Sequence, residues 1–395
     1  MKSRHSIHAL WAIALAGLPW AAHAQTNFNS GSNGSFGAIN IAANQSQTIQ
    51  LPADGVLHCT TVVVQTNATL KFTPNVTNTP VYILATGDVN ISGYVLVEGR
   101  HTSDQRGAAG GPGGFPGGQG GANPSNGYGP GAGKGGWFPG TGPTGQLPRG
   151  GGGFGTVGLP AASGGSVYSN SLLIPLVGGS GGGGGDAEEP GHRSGGGGGG
   201  GAILIASNTK INMSTVNLGF IDARGGGNNI GVGGGSGGAV RLVAPTIEGT
   251  ADIRVPGAAG GGFGRIRIDA LTNTMQFNDQ TGSAPYATFG ANMVVFPANP
   301  PELRVTQAAG TDIALTQTDP VFVLLPAGAP ATQTVQVQAK NFNSVVPLMA
   351  VVTPEAGERQ TFNFEVDNTA GGATIGSVQV QIPAGVSTRI DVWTR

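Results

Sequence analysis

The feature that most constrains this chain is a glycine-rich stretch from Gly107 to Gly201, which holds 41 of the 74 glycines in 395 residues. Glycine has no side chain to bury and loses more backbone entropy on folding than any other residue. Such a stretch is therefore typical of a flexible linker between two independent domains. The flanking sequences argue against a linker, because Val81–Gly99 and Ala202–Gly225 look like copies of one unit.

The copies share a fixed order of elements: a short alternating apolar strand ending in Ala, a polar turn, an Ile or Val, and a second strand ending in Gly. Ala239–Gly257 is a third copy, and Gly264–Phe277 carries part of a fourth. Repeats of this length indicate a solenoid, in which each unit covers its neighbour's hydrophobic face. Short strands without an amphipathic helix predict an all-β fold: a short right-handed parallel β-helix (β-solenoid) with the glycine-rich stretch as a large insertion at one corner.

Two structures remain open for the insertion. Glycine chains can approach closely as extended threefold helices that hydrogen-bond backbone to backbone, and the irregular spacing in GGFPGGQGG and RGGGGFG excludes collagen. The insertion is then either a bundle of polyglycine-II-like helices or a floppy loop. Large apolar residues favour order, because a spacer needs no anchors, although they could equally form a surface for a partner. They are Tyr128, Trp137, Phe138, Phe154, Tyr168 and the run Leu172–Val177.

The junctions GGGGGGGAILIAS and GGGSGGAVRLVAP, together with the short strands and glycine-rich inserts, resemble the glycine-rich surface and secreted proteins of bacteria. The glycine-rich portion is also similar in kind to the polyglycine-II bundles of phage tail-fibre adhesin tips and to the glycine-rich domain of anaplastic lymphoma kinase. The resemblance covers roughly Ile39–Phe277. It implies a surface, adhesive or structural role, and it supplies no active site.

Residues 1–24 have the three parts of a secretory signal peptide. Lys2 and Arg4 give a basic start, a short apolar core follows, and small residues on either side of His23 form a cleavage site. We therefore expect cleavage after Ala24 and a secreted, extracellular mature protein. No later segment approaches the roughly 20 apolar residues of a membrane-spanning helix, so no transmembrane segment is predicted.

Composition narrows the possible partners. Charged residues make up 10% of the chain and the formal net charge is -1, which becomes -3 when Lys2 and Arg4 are removed with the signal. This balance gives no electrostatic footprint for nucleic acid or an anionic membrane. The sole cysteine, Cys59, has no partner for an intramolecular disulfide. Its apolar neighbours in the predicted strand Val56–Val64 indicate a buried, inert thiol.

Glycine becomes sparse after Pro301, and the remaining chain has the pattern of seven or eight short strands. They are predicted around Leu303 and Ile313 and at Val321–Leu325, Thr334–Ala339, Val346–Val352, Thr361–Val366, Ser377–Ile382 and Arg389–Trp393. This number of strands predicts an immunoglobulin-like β-sandwich, with Pro297–Pro301 as the hinge before it. The predicted order is signal peptide (1–24), N-terminal β-helix coils (25–100), glycine-rich insertion (101–201), C-terminal β-helix coils (202–300) and sandwich (301–395).

The β-helix is a common scaffold for polysaccharide lyases and hydrolases, so the charged residues of the repeats are candidates for an active site. Such enzymes need a positively charged base or two carboxylates about 5 to 10 Å apart. Aligning the repeats by their terminal glycines places Glu98 over Arg224 and Asp222 over Arg254. Opposite charges on neighbouring strands of a solvent-facing surface account for these pairs. No catalytic residue is predicted, and the chain is interpreted as a non-enzyme.

One charged group stands out from the low charge density. Asp186, Glu188, Glu189, His192 and Arg193 lie together between two glycine runs. Carboxylate oxygens with one imidazole could hold a divalent cation, so the first four are candidate metal ligands. Their spacing matches no standard metal loop, and the alternative is a solvated turn between two glycine helices. No other cofactor is predicted.

Two functional hypotheses follow from different classes. The first is a non-enzymatic secreted or cell-surface structural or adhesive protein, self-assembling into filaments or layers because open solenoid ends expose strand edges. The second is a carbohydrate-binding or carbohydrate-active β-helix protein with aromatic stacking platforms. The partner is thus the chain itself or a surface glycan or protein. The candidate partner-binding residues are Tyr128, Trp137, Phe138, Tyr168 and Arg193.

Overall fold

A computed structural model describes residues 28–75, 77–121, 124–137, 148–186, 194–214, 219–227, 233–314, 321–354 and 360–394. Within them the chain is all-β, and a short 3-10 helix at Ala284–Tyr286 is the one helical element. The predicted signal peptide lies outside the described residues. The all-β class predicted from the alternating apolar pattern is confirmed.

The strands between residues 37 and 290 pair in parallel, and we call this region the parallel stack. They are β1 (Gly37–Ile41), β2 (Ser46–Gln50), β3 (Val56–Val64), β4 (Thr69–Thr73), β5 (Val81–Ala85), β6 (Val89–Ile91), β7 (Tyr94–Leu96), β8 (Ala202–Ser207), β9 (Lys210–Ser214), β10 (Phe220–Asp222), β11 (Ala239–Ala251), β12 (Ile253–Arg254), β13 (Arg265–Asn273), β14 (Gln276–Phe277) and β15 (Ala287–Gly290). One sheet has the order β15-β13-β11-β8-β5-β3-β6-β9, with β1 on β3 and β14 on β11. The other has the order β12-β10-β7-β4-β2.

Each turn of the chain lays its strands beside those of the next turn. Strands β5, β6 and β7 pair with β8, β9 and β10, although the glycine-rich stretch separates the two sets in sequence. In this register Val95 lies beside Ile221, and Ile221 lies beside Ile253. The repeat alignment made from the terminal glycines is therefore confirmed at the level of residue pairs.

The core of the parallel stack is a column of apolar side chains, because alternate residues of every strand point inward. The residues that the repeat alignment stacks on one another are all buried in it: Val95, Val97, Ile221, Ala223, Ile253 and Val255. Each such valine or isoleucine contributes about 1.5–3 kcal/mol by leaving water. Cys59 of β3 is buried in the same column, as predicted, and burial raises the pKa of its thiol to about 12.

Asparagine ends the turns at one corner of the first coils. Asn44 and Asn67 both adopt positive φ, at 63° and 60°, a conformation that asparagine tolerates better than most residues. The Asn67 Nδ2 donates to the Asn44 Oδ1 at 2.6 Å, so the two turns stack on each other. The first strands β1 and β2 pair with β3 and β4 and therefore begin the parallel stack.

The C-terminal region consists of antiparallel strands in two sheets. They are β16 (Glu302–Ala308), β17 (Thr311–Asp312), β18 (Thr332–Lys340), β19 (Val345–Pro354), β20 (Gln360–Asp367), β21 (Thr374–Gln381) and β22 (Thr388–Thr394). The sheet orders are β17-β16-β18-β21 and β20-β19-β22. The two sheets share a core that includes Val335, Val337, Leu348 and Ala350.

The strand predicted at Val321–Leu325 is wrong. These residues belong to no strand, and the side chains of Phe322 and Leu324 are 94% and 96% exposed. An alternating apolar segment becomes a strand only where a neighbouring edge accepts its hydrogen bonds and a core accepts its side chains. Neither is present for this segment within the described residues, so its β-propensity is not realised.

Candidate functional site

The glycine-rich residues form an ordered body on one side of the parallel stack, which we call the glycine lobe. It comprises the described parts of residues 97–201, 223–238 and 257–264. Its central segment, residues 195–201, shows how it is built. Every third backbone N–H of this segment donates to the same neighbouring stretch of chain. Residues 97–104 accept from Gly195, Gly198 and Gly201. Residues 115–118 accept from Gly196 and Gly199, and residues 233–236 accept from Gly197 and Gly200. The direction of hydrogen bonding thus repeats every three residues.

The same period recurs in a second segment, residues 178–186. Gly179, Gly182 and Gly185 donate to residues 194–200, and Gly181 and Gly184 donate to residues 125–128. A backbone that turns by a third of a rotation per residue aims successive N–H groups at three different neighbours. The glycine lobe is therefore a lattice of extended chains that bond to one another in several directions.

Close approach of these chains explains why they are glycine. A Cβ on Gly197 would lie less than 3 Å from the Gly226 carbonyl oxygen, and one on Gly199 would lie less than 3 Å from that of Gly179. Both obstacles are backbone atoms, which cannot turn aside as a flexible side chain can. Any side chain at these positions would push two chains apart and break their hydrogen bonds.

Aromatic and aliphatic residues anchor the glycine lobe to the outer face of the parallel stack. Phe154, Leu173 and Leu176 are buried against Leu204 and Val243 of β8 and β11. These anchors belong to the apolar set from which order in the insertion was predicted. They leave the lobe and the sheet sharing one apolar layer, rather than meeting through water.

Tyr168 reinforces this layer from inside the lobe. Its ring lies 4.7 Å from that of Phe154, and its hydroxyl donates to the Gly178 carbonyl at 2.6 Å and accepts from Ser180 at 3.0 Å. Burial raises the pKa of the hydroxyl well above its usual range. The Tyr168 hydroxyl therefore makes its hydrogen bonds within the lobe.

The other predicted partner-binding residues fall in different places. Tyr128 is only 2% exposed, and its ring packs edge-on against Trp393 of β22 at 5.1 Å. A partner could reach Tyr128 only if the C-terminal region moved away. Trp137 is half-buried, and its carbonyl accepts from the backbone N–H of Arg149 at 3.0 Å. Phe138 and Arg193 lie outside the described residues.

Of the four candidate cation ligands, only Asp186 lies in the described part of the chain. Asp186 is buried at the end of a glycine segment, whereas Glu188, Glu189 and His192 lie outside the described residues. The described part of the chain contains no group of three or more His, Cys, Asp or Glu side chains placed to hold a metal ion. The cation site remains a prediction.

A buried arginine in the glycine lobe is not predicted from the sequence. Arg149 is fully buried in the glycine lobe, where its Nη1 donates to the Ser194 Oγ at 3.1 Å. Burial lowers its pKa to about 10. Its sequence neighbours are glycines on one side and a proline on the other, so nothing in the local pattern distinguishes it from a solvated charge.

The exposed part of the lobe carries aliphatic side chains. Val157 and Leu159 are 54% and 57% exposed, and Val167 and Leu172 of the same lobe are 46% and 39% exposed. Gly158 between the first two donates to the Gly165 carbonyl, which places the segments around 157–159 and 165–167 side by side. We call Val157, Leu159, Val167 and Leu172 the apolar tip. Exposed apolar patches mark interaction surfaces.

A charged ladder crosses the outer face of the second sheet. The register places Asp222 beside Arg254, as the repeat alignment predicted, and the Arg224 Nε lies 4.0 Å from the Glu98 Oε2. The close ion pairs, however, form within strands: Arg224 Nε donates to Asp222 at 2.6 Å. This hydrogen bond raises the pKa of the Arg224 guanidinium. The carboxylates therefore act as partners for arginines, but the Asp222 side chain is 1% exposed, so the predicted solvent-facing position is wrong for this carboxylate.

A second ion cluster is buried where the chain leaves the parallel stack. The Asp269 carboxylate accepts from Arg241 Nη2 at 3.0 Å and from Arg267 Nη2 at 2.6 Å, and its Oδ1 also accepts from the Asn292 backbone N–H at 2.9 Å. Arg241 in turn donates to the Asn292 carbonyl at 3.0 Å. The cluster fixes the segment that leads to the C-terminal region, and its Asp269 carboxylate is fully buried.

In the part of the chain that the structure describes, no helix is long and apolar enough to cross a membrane. Comparison with protein-family models, with curated proteins and with solved structures finds no match to this chain.

Proposed function

We propose that this chain is a non-enzymatic secreted or cell-surface protein with a structural or adhesive role. The observation that carries the proposal is the glycine lobe, a backbone lattice anchored to the parallel stack that presents an apolar tip to solvent. A linker would need neither the anchors nor the period-three hydrogen bonding. The resemblance to bacterial glycine-rich surface proteins points the same way.

The architecture that we propose has three parts. The parallel stack is a right-handed parallel β-helix, because the strands of each turn lie beside those of the next in register. The glycine lobe is a polyglycine-II-like bundle, which the threefold pattern of N–H directions supports. The C-terminal region is an immunoglobulin-like sandwich, supported by two antiparallel sheets that share a core.

Self-association is the simplest use of the exposed surfaces. The outermost strands, β1 and β2 at one end and β12 and β15 at the other, have no partner on their outer edges within the described residues. Unpaired edges can accept a strand from another chain. The apolar tip adds side chains that gain free energy on leaving water, about 1.5–3 kcal/mol for each valine or leucine fully buried.

The test is to follow assembly of the exported protein by sedimentation velocity and negative-stain electron microscopy across a wide concentration series. We expect oligomers, filaments or layers whose population rises with concentration. The double variant V157S/L159S should shift assembly to higher concentration, because serine removes the apolar surface without touching the lattice. Binding of the protein to apolar and to hydrophilic surfaces, measured in parallel, reports adhesion independently of assembly.

The matched control is V345S/I375S, which changes two similarly exposed aliphatic residues of the C-terminal region. It should assemble and adhere like the unmodified protein. Monomers at every concentration would refute self-assembly, and the absence of both assembly and surface binding would refute the structural and adhesive proposal as a whole. Equal effects of the two double variants would remove the special role of the apolar tip.

A further inference from the structure

Beyond the scaffold role, we infer that the outer face of the second sheet carries a binding pocket for a carboxylate-bearing sugar, of the uronic acid class. The pocket has a volume of about 160 Å³ and is lined by Gly219, Phe220, Asp252, Arg254, Asn278 and Gln280. This volume has room for one small polar ring and not for a buried chain.

Arg254 of β12 is held rigidly at this pocket. Its Nε and Nη2 donate to the Asp252 Oδ2 at 2.9 and 2.6 Å. The centre of its guanidinium lies 3.6 Å from the ring centroid of Phe220, and Tyr94 fixes that ring by an edge-on contact at 4.7 Å. A planar guanidinium held by a carboxylate and an aromatic face loses little entropy when it binds a ligand.

The remaining donors of Arg254 set the chemistry of the ligand. Its Nη1 forms no hydrogen bond within the described residues, and its side chain is 19% exposed on the pocket side of β12. Guanidinium N–H groups bind carboxylates in preference to neutral groups, because the hydrogen bond is charge-assisted. A ligand carboxylate therefore accepts a stronger hydrogen bond from this donor than the hydroxyl of a neutral sugar does.

The opposite wall supplies the groups that recognise hydroxyls. The Gln280 Nε2 donates to the Asn278 Oδ1 at 2.9 Å, which aligns the two amides and leaves further amide donors and acceptors at the pocket. Side-chain amides of this kind can both donate to and accept from a hydroxyl. The combination of one fixed guanidinium, two amides and an aromatic ring edge matches a sugar ring that carries a carboxylate better than it matches a simple organic acid.

The aromatic residues predicted from the sequence to bind sugar lie in the glycine lobe, where the ring of Tyr128 and the hydroxyl of Tyr168 already contact other residues. The aromatic residue at the pocket is Phe220, whose face is covered by Arg254. Its role is to support the guanidinium, and stacking of a sugar on the ring is not required. The binding that we infer is thus directed by hydrogen bonds.

The experiment is a ligand-observed NMR titration of the full exported protein with sodium glucuronate, glucose and sodium acetate. We expect saturable binding of glucuronate, with glucose and acetate each at least tenfold weaker. R254Q should weaken glucuronate binding at least tenfold, because glutamine keeps polarity and loses charge. Q280A, at an exposed position, should weaken it several-fold without disturbing the fold.

The matched control is R389Q. Arg389 pairs with Asp391 two residues away at 2.9 Å, as Arg254 does with Asp252, but it is exposed and lies in the other domain. It should bind glucuronate like the unmodified protein. Thermal unfolding of each variant shows whether R254Q is folded, and Q280A decides the question if it is not. Failure of the unmodified protein to bind glucuronate, equal affinity for glucose or acetate, or full binding by both R254Q and Q280A would each overturn the inference.

Discussion

Replacing Gly197 by alanine is the sharpest test of the glycine lobe as an ordered lattice. The new Cβ would lie less than 3 Å from the Gly226 carbonyl oxygen, so two chains must separate. Overpacking of this kind typically costs 1–3 kcal/mol. Gly197 also donates to the Gly233 carbonyl at 2.9 Å and accepts from the Gly182 N–H at 3.0 Å. Each weakened hydrogen bond adds about 1 kcal/mol, giving about 3–5 kcal/mol of lost local stability.

The assay is hydrogen–deuterium exchange followed by mass spectrometry on peptides that cover residues 195–201. A loss of about 3–5 kcal/mol corresponds to roughly a hundredfold to several-thousandfold increase in the opening constant that governs exchange. In the unmodified protein we expect slow exchange, because these amides donate to backbone carbonyls in three directions. Exchange in G197A should approach that of an open chain while the C-terminal region keeps its protection.

Gly227→Ala is the matched control. It lies in the same lobe and has a negative φ, and its nearest obstacles are side chains, with the His101 Nδ1 at 3.2 Å and the Ala258 Cβ at 3.5 Å. We expect a change within about 1 kcal/mol, since alanine also lowers the entropy of the unfolded chain. Fast exchange of residues 195–201 in the unmodified protein, or equal exchange in G197A and G227A, would refute the lattice and restore the floppy loop.

Three further predictions follow from buried groups. The pKa of Cys59 rises from 9.0 to about 12 in the folded protein, so the stabilising effect of its buried thiol is complete below pH 9 and is lost as the pH rises toward 12. Urea unfolding at pH 8, 9.5 and 11 should show this decline in the free energy of unfolding, and a C59A variant should show a smaller decline. W393A removes the aromatic contacts between β22 and the glycine lobe and should increase proteolysis at the proline-rich hinge, whereas F322A, at an exposed aromatic residue, should not. D269N leaves two buried arginines without their carboxylate and should lower the free energy of unfolding by about 3–5 kcal/mol. D391N, at an exposed ion pair, should lower it by less than about 1 kcal/mol, and similar losses in the two variants would contradict the burial argument.

Much of the parallel stack could be predicted from the sequence, because strand alternation and terminal glycines repeat together. The pairs Val95–Ile221 and Asp222–Arg254 follow directly from alignment of the repeats. The alignment could not tell which charges pair, because side chains of arginine reach along a strand as easily as across it. Arg224 therefore bonds Asp222 of its own strand more closely than Glu98 of the neighbouring one.

The sequence was less informative wherever burial depends on a distant covering segment. Arg241 and Asp269 alternate with apolar residues along their strands, a pattern typical of side chains that face solvent. They are buried because the chain after β15 folds over them. The opposite error occurred at Val321–Leu325, where a strand-like pattern has no edge to join. In both cases the local pattern is the same, and only the long-range partner differs.

The path of the backbone from β7 into the glycine lobe bears directly on the adhesive proposal. The Val97 N–H donates to the Asp222 carbonyl within the sheet ladder, and its own carbonyl accepts from Gly201 in the lobe. Two residues later, Gly99 still donates to Arg224 while a Cβ there would strike the backbone of Gly198. The hydrogen-bond ladder of the sheet thus passes into the lattice of the lobe without an intervening loop. A force applied at the apolar tip would reach the parallel stack through many backbone hydrogen bonds loaded together. A glycine-rich linker would extend under the same force, so this continuity favours a rigid adhesive or structural element over a tether.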